Sequence, residues 1–168
     1  AEPSVATSSL KMDSSDRLPP DVSSFIHSCD TLFLATSHRP APSDAEDYPP
    51  HLGCNHRGGR PGFVRVRSDG RTLVLPDFSG NRLMTSLGNN VTDSKVGVVF
   101  VNFPTGDVLY ITGDATLLFH DDAKKVMPRV KLITLIQVTG YTLVRSALPF
   151  REVPGTYSLS PYCPPLYL

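Results

Sequence analysis

The sequence has few cysteines, no long apolar run and no excess of charge of either sign. Its three cysteines, Cys29, Cys54 and Cys163, form no CxxC pair, which argues against a disulfide framework and a zinc site and favours a reducing compartment. No segment approaches the ~18 consecutive apolar residues of a membrane span. Basic and acidic residues number 16 each, so the formal net charge is zero. A general nucleic-acid-binding role is therefore disfavoured.

Signals for secretion are also weak. Residues 1–20 are polar and lack the apolar centre of a signal peptide. The triplet Asn90-Val91-Thr92 is a glycosylation sequon, but such triplets are common by chance. Together with the cysteine pattern, these observations predict a cytoplasmic protein without a membrane partner.

The chain has the length and composition of a single folded domain. It has 168 residues, of which 40% are hydrophobic and 19% charged, enough to bury a core. Residues 1–20 end in Pro19-Pro20 and predict an extended arm. Residues 21–168 predict the domain itself, which ends in a wrap rich in proline and tyrosine.

The first half of the domain predicts a short helix followed by strands. Residues 21–30 have the apolar stripe of a helix, and residues 31–36 read as a buried strand. A long Pro-rich polar loop follows. In PGFVRVRSDGRTLVLPD, the Asp-Gly pair predicts a hairpin turn, and strand alternation places Phe63 and Arg65 on one face.

The second half predicts one more helix and three or four more strands. A helix is expected in FSGNRLMTSLGNN, capped by Ser79 and stopped by Gly88. Strands are expected at 95–103 and 108–119, the latter bulged at Gly113, with one or two more in KLITLIQVTGYTLVRSAL. Sequential strands joined by tight turns predict an antiparallel sheet, most economically closed as a barrel.

The familiar catalytic templates are missing. There is no GxSxG, no P-loop lysine and no HExxH, and the five histidines show no metal-ligand spacing. His51, Cys54 and His56 could form a zinc corner, but no fourth ligand is evident. Cys54 as a nucleophile lacks an identifiable base. We therefore expect no bound metal.

Two segments have the chemistry of an anion site. In HRGGRPGF, glycines let the backbone approach a ligand, and Arg57 and Arg60 can bond to phosphate; the alternative is a basic surface turn. In PDFSGNRLMTSLGN, residues 79–81 lie at an expected helix start, where free amides favour an anion, and Arg82 adds charge. The alternative there is an ordinary capped helix. Together the two segments predict a phosphate-bearing ligand.

The order of motifs resembles a known family. TLFLAT, HRGGRPGFVRV, LVLPDFSGNRLMTSLGN, VGVVFVNFPTGDVLYITGDA, LPFR and SPYCPP are similar to the pyridoxamine 5'-phosphate oxidase-like flavoproteins, in particular their flavin-nucleotide-binding branch. The resemblance covers residues 21–168. It implies a mainly β domain, a six-stranded antiparallel split barrel with a few short helices. It also implies a homodimer with FMN bound at the subunit interface.

The resemblance also assigns site residues. Gly80-Asn81-Arg82 matches the family's phosphate-binding element, which makes Arg82 the strongest candidate for a phosphate ligand. The family's strand arginine falls near Pro61, so Arg57, Arg60 or Arg65 would replace it. The positions assigned to the cofactor are Arg82, Asn81, Gly80, Ser79, Asp77, Pro76, Phe78, His56, Arg57 and Arg65.

The implied function is an FMN-dependent oxidoreductase that acts on an unidentified small molecule, with electrons from NAD(P)H or a reductase partner. The alternatives are a non-catalytic flavin-binding or electron-relay protein, and a split barrel that binds another ligand such as heme. The oxidase's C-terminal RxH signature is not matched, and Arg151 is only a loose counterpart, so its own substrate is not implied. No side chain stands out as a necessary acid or base.

Overall fold

A computed structural model describes residues 11–13, 15–78 and 84–166. Within them, the helices are α1 (Pro20–Ser28), α2 (Thr85–Thr92) and α3 (His120–Val126). The strands are β1 (Lys11–Asp13), β2 (Thr31–His38), β3 (His51–Gly58), β4 (Arg65–Val66), β5 (Thr72–Pro76), β6 (Lys95–Asn102), β7 (Asp107–Phe119) and β8 (Leu132–Val144). None of these helices has the length and apolar character needed to cross a bilayer.

The strands form one antiparallel sheet. Seven of them follow the order β3-β2-β6-β7-β8-β5-β4, and the short β1 pairs with β8 off this path. Within the described residues, no hydrogen-bonded ladder joins the end strands β3 and β4. The mainly β split-barrel architecture is confirmed. The expected count of six strands in a closed barrel is wrong.

The main additional strand is β3, which was expected to be loop and basic turn. It pairs along its whole length with β2, from His38↔His51 to Thr31↔Gly58. Most of its residues are exposed or half-buried, so the apolar alternation that marks a half-buried strand is missing. The HRGG segment therefore ends one strand rather than leading directly into the next.

The apolar core lies on the inner face of the curled sheet. Strands β2, β6 and β7 bury alternate side chains there, among them Leu32, Phe100 and Leu109. Helix α1, which the sequence predicted within two residues of its bounds, adds Val22, Phe25 and Ile26 to the same cluster. Burial of this apolar surface is the main favourable term for the fold.

Two glycine predictions have different outcomes. The bulge expected at Gly113 is confirmed by a register shift between Thr112 and Gly113, and a Cβ there would lie 2.6 Å from the Gln137 carbonyl oxygen. The helix stop expected at Gly88 is wrong. Helix α2 starts at Thr85 and runs through Gly88 to Thr92, because the chain continues its i→i−4 bonds as far as Asp93 N–H to Asn89 C=O, 2.8 Å. Ser79, the expected cap, lies outside the described residues.

The predicted hairpin is confirmed, with a shorter first strand. Asp69 accepts hydrogen bonds from the Arg71 and Thr72 amides at 2.7 and 3.0 Å and so holds the turn between β4 and β5. The predicted alternation does not reach Phe63 and Val64, both of which are buried. They precede β4 and follow a turn in which the Phe63 amide donates to the Arg60 carbonyl.

Helix α3 and the C-terminal segment cover other parts of the sheet. Ala123 and Met127 pack with Val74 and Ile133 in a second apolar cluster, so both faces of β5 are buried. Residues 145–166 contain no helix or strand. They are tied to the sheet at several points, including Tyr157 O–H to the Asp30 carboxylate at 2.6 Å.

Candidate functional site

An ion pair between Arg57 and Asp77 lies at the open seam of the sheet. Arg57 is on β3, the last strand at one end of the sheet order, and Asp77 directly follows β5 near the other end. The side chains are 20% and 15% exposed, and Arg57 Nη1 donates to Asp77 Oδ1. The Asp77 amide also donates to the Leu132 carbonyl at 3.0 Å, which fixes the carboxylate's backbone. The pair therefore bridges two parts of the sheet that share no ladder.

The surroundings of this pair are mostly apolar. Leu34, Leu75 and Leu87 pack around Arg57 and Asp77 and leave no room for a water molecule between them. Arg57 Nε is buried and, among the residues that the structure describes, has no hydrogen-bond partner. A buried N–H donor without an acceptor is costly, and in this low-dielectric setting it would bond strongly to an anion. The seam thus presents an unused, charged donor.

Polar side chains on α2 and β3 extend the site. Asn55 Nδ2 donates to Ser86 Oγ at 2.7 Å, and the buried Asn89 donates to Thr36 Oγ1 at 3.0 Å. Asn90 is buried as well, yet both polar atoms of its side chain lack a partner in the described part of the chain. The inner side of β3 therefore faces a polar helix surface rather than the apolar core. Burial of Asn90 also hides the predicted sequon.

The cofactor positions expected near Arg57 divide between two faces of β3. Arg57 lies on the inner side with Asp77, whereas His56 is on the outer side, where its ring centroid is 5.7 Å from that of Phe33. Adjacent residues of a strand point to opposite faces. The structure therefore brings Arg57 and Asp77 together but separates His56 from both.

The glycines of the HRGGRPGF segment have a packing role. A Cβ on Gly59 would lie 2.6 Å from Cγ of Phe63, so only glycine lets that buried ring pack against the chain. Phe63 is in turn 6.5 Å, centroid to centroid, from Phe78. Pro76 is buried at the end of β5. Two of the expected cofactor positions, Pro76 and Phe78, thus flank Asp77 beside the core.

The remaining expected positions lie elsewhere or are not described. Arg65 is half-buried on β4, opposite Val74 of β5, and makes contacts of its own. Arg60 is exposed in the turn before Phe63. The phosphate element assigned to Ser79, Gly80, Asn81 and Arg82 lies outside the described residues. Those positions precede α2 in the chain, and their cofactor role stays a prediction.

Ionisable groups outside the seam take part in packing and hydrogen bonding. Burial raises the pKa of Cys29 to about 12, so this thiol is protonated and unreactive at neutral pH. Asp107 is desolvated by burial, but hydrogen bonds from the Ser146 amide and Arg145 outweigh that and lower its pKa. Among the described residues, no three His, Cys, Asp or Glu side chains are placed to hold a metal.

The sequence did not predict the polar contacts of the seam. Ser86, Asn89 and Asn90 lie in the FSGNRLMTSLGNN segment, which predicted a helix but not these contacts, and Asn55 belongs to no motif. One signal was present: Asn55 and Arg57 are two residues apart, which places them on one face once a strand is assumed.

Comparison with known proteins supports the fold. No family model and no curated protein matches the sequence. A pyridoxamine 5'-phosphate oxidase candidate from Lactobacillus delbrueckii is 18% identical with a TM-score of 0.54, over 78% of this chain and 98% of that one. HupZ from Group A Streptococcus is 16% identical with a TM-score of 0.50, over 74% and 91%. A variant of HupZ is 16% identical with a TM-score of 0.51, over 75% of this chain and 98% of that one.

At these identities the similarity shows the fold. The chain has the pyridoxamine 5'-phosphate oxidase-like split-barrel fold, and the family resemblance seen in the sequence is confirmed at that level.

The seam ion pair should be energetically coupled. Arg57→Met or Asp77→Asn alone leaves a partly buried charge without its partner and should lower the free energy of unfolding by about 2–3 kcal/mol, below the 3–5 kcal/mol of fully buried pairs. The double variant should lose less stability than the sum of the two single-variant losses. The difference, measured by urea unfolding, should be a coupling energy of about 1–2 kcal/mol. Arg71→Met and Asp16→Asn, an exposed pair 3.4 Å apart, provide the control. Additive losses at Arg57 and Asp77 would show that the pair does not hold the seam.

Proposed function

We propose that this chain is a flavoprotein that binds FMN beside the Arg57–Asp77 pair and acts as an oxidoreductase on a small molecule. The observation that carries the proposal is the buried Nε–H of Arg57, which lacks an acceptor within the described residues. A phosphate oxygen is an acceptor of the right charge, and guanidinium groups bind phosphate through more than one N–H.

The residues around the seam fit a flavin phosphate. Asp77 already holds one nitrogen of the Arg57 guanidinium, which orients the group and leaves Nε for a ligand. The segment 79–82 follows Asp77 by only two to five residues, so Arg82 and the amides of Ser79, Gly80 and Asn81 are the natural second half of the phosphate site. Arg65, on β4, is less directly linked to the seam.

This arrangement gives the cofactor and the side chains separate roles. Bound FMN would supply hydride and single-electron chemistry. The chain's own residues bind its phosphate through Arg57 and Arg82, set its position through Pro76 and Phe78, and exclude water with the apolar wall of Leu34, Leu75 and Leu87. Electrons would come from NAD(P)H or a reductase partner.

Arg151 supports a substrate other than pyridoxamine phosphate. Its Nη1 donates to the carbonyl of Phe150 at 2.7 Å, and the guanidinium lies against Gly106, where an added Cβ would be 2.1 Å from Nη1. Carbonyl groups of its own segment, those of Leu148 and Phe150, thus bind Arg151, the loose counterpart of the oxidase's substrate arginine.

A purified sample tests the cofactor directly. The protein should be yellow, with flavin absorbance bands that match FMN after release by heat. Arg82→Ala should lose most of the flavin because a phosphate contact to a charged group contributes about 1.5–3 kcal/mol, or about 10- to 100-fold in Kd. Arg39→Ala removes an equal charge from an exposed side chain and should keep the colour.

The same sample separates the alternatives. Bleaching by NAD(P)H under anaerobic conditions, followed by reoxidation in air, supports an enzyme, whereas a stable yellow protein that no donor reduces supports flavin storage or relay. A colourless protein that binds no added FMN, or one with a Soret band, contradicts the flavin proposal.

We also propose that the chain forms a homodimer, with the flavin at the interface. The outer face of the sheet exposes Phe33 and Tyr110 on either side of Val99, the residue that pairs with both. The C-terminal segment exposes further large apolar side chains, among them Phe150 and Tyr162. Contiguous apolar surface of this kind is typical of a subunit interface.

Light scattering tests the dimer. The protein should have twice the mass of its 18.3 kDa chain, and Phe33→Asp with Tyr110→Asp should shift it towards monomer because charges at an interface core are strongly unfavourable. Thr116→Asp, at another exposed position on β7, should leave the mass unchanged. A monomeric wild type at micromolar concentration would contradict both the dimer and an interfacial flavin site.

A further inference from the structure

A groove outside the seam lies between α1 and the β4–β5 hairpin. Its volume is about 520 Å³, within the range of small-molecule sites. Three basic side chains line it, namely Arg17 from the N-terminal arm, His27 from α1 and Arg67 from the hairpin. Three hydroxyl groups line it as well, those of Ser15, Ser23 and Ser68. None of these residues belongs to the proposed flavin site.

The arm is fixed to the hairpin turn, which gives the groove a defined wall. The Leu18 amide donates to the Gly70 carbonyl at 2.7 Å, and the Leu18 side chain is buried in the core. A Cβ on Gly70 would lie 3.3 Å from Cγ of Arg17, so the stem of Arg17 packs over the turn. The turn itself is closed by the Gly70 amide, which donates to the Arg67 carbonyl at 2.9 Å. Both arginines therefore belong to one rigid corner.

The nearby carboxylates are committed to other groups. Asp69 accepts from the backbone amides and hydroxyl of the turn, and the Arg71 amide in particular lowers its pKa. Asp16 pairs with Arg71 at 3.4 Å. In the described part of the chain, Arg17 and Arg67 form no salt bridge, although Asp69 is close enough to Arg67 to interact through charge. Among the described residues, the two guanidinium groups thus line the groove without a salt bridge of their own.

His27 adds a donor at the far end of the groove. Its Nε2 accepts the Val66 amide at 3.4 Å, which leaves the proton of the neutral ring on Nδ1. The donors around the groove therefore comprise two guanidinium groups, one imidazole N–H and the hydroxyls of Ser23 and Ser68, because Ser15 Oγ donates to the Arg17 carbonyl at 3.1 Å.

We propose that this groove binds a small phosphorylated, hydroxyl-rich molecule of the sugar-phosphate class. Paired arginines recognise a phosphate dianion through charge-assisted bonds, and serine hydroxyls both donate to and accept from ligand hydroxyls. Within the described residues, no Phe or Tyr lines the groove, so it lacks the large aromatic face on which a nucleobase commonly stacks. This composition favours a sugar phosphate over a nucleotide.

Calorimetric titration of the purified full chain tests the proposal. Glucose 6-phosphate is the probe, with glucose and inorganic phosphate in parallel. Glucose 6-phosphate should bind more tightly than either one. Arg17→Ala and Arg67→Ala should each weaken it about tenfold or more, and the two together should abolish it. Arg39→Ala, which removes an exposed arginine elsewhere, should bind like wild type.

Further variants separate this groove from the flavin site. Arg82→Ala should bind glucose 6-phosphate like wild type, whether or not the flavin proposal holds. The Arg17→Lys, Arg67→Lys variant keeps both charges and should bind more weakly than wild type but more tightly than the alanine pair. Because both arginines are exposed, thermal unfolding should be nearly unchanged.

Three results would overturn the proposal. The first is no heat of binding at millimolar glucose 6-phosphate. The second is equal binding by wild type and the alanine pair. The third is loss of binding in Arg82→Ala alone, which would place the anion at the flavin site.

Discussion

The fold depends at its seam on one side-chain interaction, the ion pair between Arg57 and Asp77. The sheet order runs from β3 to β4, and in the described residues no ladder connects the two ends. Half of the residues of strand β3 are exposed, and within the described residues the strand pairs only with β2. The ion pair ties β3 to the end of β5, and the Asn55–Ser86 hydrogen bond ties it to α2. A sheet left open in this way can be held by side chains where backbone bonds are missing.

The same interaction gives the seam its chemistry. The inner core contains the apolar residues of β2, β6, β7 and α1, which can pack but cannot bind an anion. Partly buried charge and buried amide groups are concentrated where β3 meets α2 and the end of β5, at Arg57, Asp77 and Asn90. Unsatisfied buried polar groups are rare and costly in folded proteins. Their presence at the seam is the physical argument for a ligand there.

Local sequence patterns predicted most of the scaffold. The apolar alternation of VGVVFVNF and VLYITGDATLLF located β6 and β7, and Asp69-Gly70 located the hairpin, because periodicity and turn chemistry are properties of neighbouring residues. Strand β3 was not predicted, because its partner β2 stabilises it through backbone hydrogen bonds that no local sequence pattern reveals. The end of α2 was placed too early at Gly88, since packing on β2 and β3 overrides the weak helix preference of glycine.

The candidate site was predictable only in part. Arg57 and Asp77 were both named from the sequence, yet their direct contact was not, because it joins residues 20 positions apart across the seam. The packing role of Gly59 against Phe63 was also hidden, since glycine in a basic segment reads equally well as a ligand contact. Residue identity therefore indicated the chemistry, and the tertiary arrangement determined which side chains share it.

The central claim is that Arg57 donates to the flavin phosphate at this seam. Binding of FMN and of riboflavin, which lacks the phosphate, can be compared by flavin fluorescence in wild type and in Arg57→Met. The account predicts that wild type prefers FMN by about 10- to 100-fold and that the variant loses most of this preference while its affinity for riboflavin changes little. Equal preference for FMN in both proteins would contradict it.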